Sequence, residues 1–73
     1  MTLGDKRLQV IRNFTYHAPK GDQPERYTRL REAAKEFALL ILDLTPESRE
    51  QSLALTELEK ASMFANAAIA RNE

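Results

Sequence analysis

Glycine and proline punctuate helical sequences, and here two glycines and three prolines fall in only three places. Gly4 lies near the start, Pro19, Gly21 and Pro24 crowd one stretch, and Pro46 stands alone. Between these breaks the chain runs uninterrupted, which divides it into three segments. In the second, Tyr27, Leu30, Ala34, Phe37, Ile41 and Leu44 recur in steps of three and four, the mark of one helical stripe. Asp22, three residues before Glu25 and with Pro24 in the first turn, reads as a carboxylate N-cap. Ala33, Ala38, Leu39, Leu40 and Leu42 widen the stripe until it is apolar nearly all round, so a second face is expected to be covered. Thr45 and Pro46 read as N-cap and first residue of the next helix, with Glu47 and Glu50 near the positive end of its dipole. Its stripe is Leu55, Leu58, Ser62, Ala65 and Ile69, and a second series, Glu57, Ala61, Phe64, Ala68 and Arg71, follows another face. A short connection makes these two helices antiparallel neighbours. Ahead of them Leu3, Leu8, Val10 and Ile11 supply the apolar contacts of a short helix, with Thr2 and Asp5 in capping-box-like spacing. The expected fold is all-α: a single domain over 1–73 with helices at about 3–13, 23–44 and 46–71. Tyr27 and Phe37 fall on its core stripe, and Phe14 and Phe64 read as packing residues.

A chain of 73 residues and 8.3 kDa is marginal as a monomer. Area scaling allows it a folded surface near ~4,600 Å², with about 60% of the unfolded surface buried. Domains this small lean on disulfides, a metal or self-association. No cysteine and one histidine leave no disulfide, no thiolate zinc site and no histidine cluster. Self-association into a homo-oligomeric helical bundle remains. Met1 to Val10 lacks the long apolar core of a signal peptide, and no stretch is long enough to span a bilayer, so a cytosolic protein is expected.

Eleven basic and eleven acidic residues cancel, which argues against a protein that coats DNA or RNA, or a polybasic membrane binder. The cancellation is uneven. Met1 to Glu36 holds eight basic and five acidic residues, a net of +3, and the remainder is −3. An antiparallel hairpin would bring Arg26, Arg29 and Arg31 toward Arg71, making one cationic end. Arginine forks suit phosphate, although helix-borne cations most often form solvated faces. Between the first two helices Phe14-Thr15-Tyr16-His17-Ala18-Pro19-Lys20-Gly21 is extended chain and turn, since Pro19 disfavours helix at Ala18. Tyr16 offers a face for stacking on a base or an anchor closing the helix end. His17 can donate to a phosphate or hydrogen-bond the turn. No nucleophile sits with a base and no glycine loop cradles a phosphate. Carboxylates such as Glu32 and Glu36 lie on a charged helix face. A binding protein without active site, metal or cofactor is expected, not an enzyme.

Phe14 to Lys20, Gln23, Arg26-Tyr27, Ser48-Arg49-Glu50 and the ending Ala65-Asn66-Ala67-Ala68-Ile69-Ala70-Arg71-Asn72 form a pattern. It resembles the helical-hairpin domain of phage anti-defence sponges, shared by the second anti-CBASS family and the first Thoeris anti-defence family. The resemblance covers roughly Arg12 to Asn72. It implies a homohexamer of hairpins in the cytoplasm of an infected bacterial host. Such proteins bind cyclic oligonucleotide immune signals and hold them uncleaved, so that CBASS effectors are not activated. The implied ligands are cyclic dinucleotides such as cyclic GMP–AMP, between paired subunits, and cyclic trinucleotides such as cyclic tri-adenylate, where three subunits meet. Carried over residue by residue, Tyr16 matches the family's base-stacking tyrosine and Arg31 its phosphate contact, with Arg26, His17 and Lys20 beside them. Arg71, with Asn66, matches the trinucleotide site. The residues alone leave another function open: a small helical homo-oligomer acting as a protein–protein adaptor or phage regulator, its outer stripes serving a partner rather than a nucleotide.

Overall fold

The computed structural model describes residues 3–73, with the side chains of Leu3 and Gly4 left aside. It contains three helices, α1 (Leu3–Asn13), α2 (Gln23–Leu44) and α3 (Arg49–Asn72), and no strand among the described residues. The expected capping contact of Thr2 lies outside them. α1 ends where the Thr15 hydroxyl donates back to the carbonyl of Ile11 at 2.5 Å. Residues 14–22 then cross to α2. Gly21 takes φ +58, and nothing lies within 4 Å of where a Cβ would stand. The glycine therefore serves backbone conformation, not a close approach.

Asp22 occupies the N-cap position of α2, but its side chain makes no capping hydrogen bond. It lies 3.3 Å from the Arg26 guanidinium instead, where an ion pair one turn along competes for the carboxylate. The turn after α2 also departs from expectation. Thr45 is the C-cap of α2, its N–H donating to the carbonyl of Ile41 at 3.1 Å and its hydroxyl to the same oxygen at 2.6 Å. The N-cap of α3 is Ser48, whose hydroxyl accepts from the Gln51 N–H at 3.1 Å. The Gln51 amide reaches back to the Thr45 carbonyl at 3.2 Å and hydroxyl at 3.0 Å, closing the turn. α3 thus begins at Arg49 rather than at 46.

α2 and α3 lie antiparallel and in contact, while α1 makes only slight contact with that hairpin. The seam on α2 is half-buried Tyr27, Leu30, Ala34, Ala38 and Ile41. On α3 it is Leu55, Leu58, Ser62, Ala65 and Ile69, as the periodicity predicts. Phe37 and Leu44, expected on the α2 stripe, are 57% and 73% exposed. Small Ala34 and Ala38 take the line of closest approach, and the bulkier side chains lie on its flank. The series Glu57, Ala61, Phe64, Ala68 and Arg71 faces outward throughout. No apolar residue is buried among those described. The chain exposes 6207 Å², well above the ~4,600 Å² of a compact protein of its mass. No described helix is long and apolar enough to cross a membrane.

Candidate functional site

Where residues 14–22 pass the C-terminal end of α3, they enclose a groove of about 540 Å³. Arg12, Tyr16, His17, Lys20, Gln23, Arg71 and Glu73 are among the residues that line it. Each arrives for a local reason. Arg12 is in the last turn of α1. Tyr16, His17 and Lys20 lie on the extended segment forced by Pro19, and Arg71 is in the last turn of α3, where a cation suits the dipole. Tyr16 is 84% exposed, so its ring has a free face. Three cations and one acid leave the groove cationic although the chain is neutral. Its volume lies within the roughly 300–1,000 Å³ usual for ligand pockets.

Four of the seven residues singled out from the sequence meet here: Tyr16, His17, Lys20 and Arg71. The other three do not. Arg31 lies in a groove on one side of the hairpin, with Lys35, Leu42, Leu55 and Met63. Its guanidinium is 3.5 Å from the Thr28 hydroxyl. Arg26 and Arg29 line a groove on the other side, with Leu30, Ala33 and Ile69. Arg29 and Arg31 diverge because two positions along a helix turn a side chain through about 200°. The expected gathering of all four arginines at one end is therefore incomplete. Asn66 lies half-buried on α3, its side-chain oxygen without a hydrogen-bond partner among the described residues.

Arg26 is also already engaged. Its guanidinium forks onto Glu73, with Nη1 at 2.9 Å from Oε2 and Nη2 donating to Oε1. Hydrogen bonds from Arg26, then from Gln23, hold the Glu73 carboxyl down at about 2. The same hydrogen bonds to Glu73 raise the Arg26 guanidinium above its ordinary value. Sequence reasoning missed three members of this arrangement. Arg12 falls at a helix end and carries no motif, while Gln23 and Glu73 acquire their place only when the ends of α2 and α3 meet. No group of three or more metal-ligating side chains occurs among the described residues.

No curated protein and no solved structure matches the chain. The family model described as Acb2/Tad1, hairpin domain, matches residues 7–70, which take in α1 from Arg7, the loop, all of α2 and α3 as far as Ala70, one residue short of Arg71. Spanning most of the sequence, that match means the chain belongs to the Acb2/Tad1 hairpin family, which is associated with binding cyclic oligonucleotide signals.

Proposed function

We propose that the protein is a phage anti-defence sponge. It binds cyclic dinucleotides such as cyclic GMP–AMP, and with them cyclic trinucleotides such as cyclic tri-adenylate, and holds them without cleavage, so that CBASS effectors stay inactive. The observation that carries this reading is the exposed Tyr16 ring beside Lys20, Arg12 and Arg71 in one cationic groove. The ring offers a stacking face to a base, Lys20 and the Arg12 guanidinium offer donors to a dinucleotide phosphate, and Arg71 is reserved for the trinucleotide. A cyclic dinucleotide carries only two phosphates, so a neutral protein with a local cluster suffices.

Arg31 and Tyr16 lie in separate grooves of the chain. A second copy is needed to bring one to the other, and a two-fold pair then offers two tyrosines and two arginines to a ring with two bases and two phosphates. Apolar side chains left outward on both long helices support a homo-oligomer, which the proposal takes to be a hexamer. Binding without turnover favours a preorganised site.

Calorimetry with cyclic GMP–AMP and cyclic tri-adenylate tests the reading, followed by heat release and chromatography of the nucleotide. Intact ligand should return, and cleaved ligand would make the protein an enzyme. Tyr16→Ala and Arg31→Ala should abolish cyclic GMP–AMP binding. Arg71→Ala should lose cyclic tri-adenylate and keep the dinucleotide. Loss of both ligands in Arg71→Ala would merge the two sites into the single groove of the chain. No binding of either ligand at micromolar concentration would end the proposal.

A further inference from the structure

One side chain is buried among the described residues, and it is polar. Gln23 is 5% exposed, where no apolar residue is buried at all. A buried amide is unfavourable unless both its ends are hydrogen-bonded, and here both are. Oε1 accepts from the backbone N–H of Lys20 at 3.1 Å, and Nε2 donates to Glu73 Oε1 at 3.3 Å. The Gln23 N–H also donates to the Lys20 carbonyl at 3.0 Å. Glu73 completes the arrangement by taking the Arg26 fork. The hydrogen bonds that Glu73 accepts join the end of α3 to the start of α2, at the opposite end of the hairpin from the Gln51–Thr45 bonds of the turn.

Lys20 lies on the loop with Tyr16 and His17, and Glu73 follows Arg71 by two residues. Gln23 therefore ties one wall of the groove to the other. We propose that Gln23 and Glu73 form a clasp that positions Tyr16, His17 and Lys20 against Arg71. Both are positioning residues for the nucleotide site, an inference that rests on the function proposed above. Glu73 borders an anion-binding groove, yet its oxygens are occupied by Arg26 and Gln23, so it organises the walls without opposing the ligand.

The clasp has a swap test. Gln23→Glu keeps an acceptor for the Lys20 N–H but sets a carboxylate against Glu73. Glu73→Gln loses the charge that Arg26 grips. The double variant Gln23→Glu/Glu73→Gln returns an amide donor and a carboxylate acceptor to facing positions, now exchanged. Hydrogen exchange of residues 14–22 reads the clasp without ligand, and calorimetry with cyclic GMP–AMP reads the site. Each single variant should speed loop exchange and weaken binding about tenfold. The double variant should regain the share of both that the bond between positions 23 and 73 carries, and so exceed either single variant. Single variants with wild-type loop exchange, or a double variant no better than the worse single, would overturn the clasp. If the wild type binds no cyclic GMP–AMP while loop exchange still follows the swap, the clasp stands and the nucleotide reading falls.

Discussion

Arg26 donates to both oxygens of Glu73 and lies 3.3 Å from Asp22. A guanidinium held by two acids is a structural tie before it is a phosphate ligand, whereas Arg71 and Lys20 reach the groove with no such acid in the described ion pairs. The tie has a pH signature. Glu73 titrates at about 2 in the folded chain, below the 4.5 of a free glutamate. A depressed carboxylate contributes stability that is complete above its unfolded value and fades as pH falls toward the folded one. Wild type and Glu73→Gln should therefore differ in melting temperature at pH 6. The gap should narrow between about pH 4.5 and pH 2, read by circular dichroism at one protein concentration. A gap that stays constant across that window would remove Glu73 as its source.

At the scale of elements, the turn between the long helices shows how two valid signals compete. Thr45-Pro46 has the form of a helix start, and so does Ser48 with Gln51 three residues on. Ser48 prevails because its hydroxyl caps Gln51 while the Gln51 amide satisfies Thr45. Ser48→Ala should cost about 1 kcal/mol, measured by chemical denaturation at fixed protein concentration. A loss near zero would show that backbone contacts alone hold the turn. The stripe on α3 was fully legible, because Leu55, Leu58 and Ile69 stand among polar and small neighbours that fix the phase. The phase of α2 was not. Its apolar arc from Phe37 to Leu42 is so wide that several rotations would bury it equally, and only the partner helix selects Ala38 over Phe37. The groove was half legible on the same grounds. Tyr16, His17 and Lys20 share one loop and announce themselves locally. Their meeting with Arg71, and the part played by Gln23, depend on which ends of α2 and α3 converge.

For the whole molecule, the dimensions are informative. The Cα radius of gyration is 16.0 Å, against about 11 Å for a compact chain of this length. Extents of 47 × 31 × 15 Å describe a slab. Phe37, Leu39, Leu40, Met63 and Phe64 are each more than half exposed and no apolar residue is buried among those described, and apolar surface on that scale calls for a covering partner. Light scattering should give a mass several times 8.3 kDa. Phe37→Glu or Phe64→Glu should lower that mass and the helical signal together. A wild-type chain that sediments as a monomer and melts cooperatively would contradict this.

The slab is 15 Å thick, little more than the 10–12 Å width of one helix with its side chains. It behaves as a tile: among the described residues Gln23 alone is buried, so nearly every substitution meets a surface. In the homo-oligomer proposed above, each amino-acid change is repeated at every joint. In that proposed assembly one altered codon revises every joint at once.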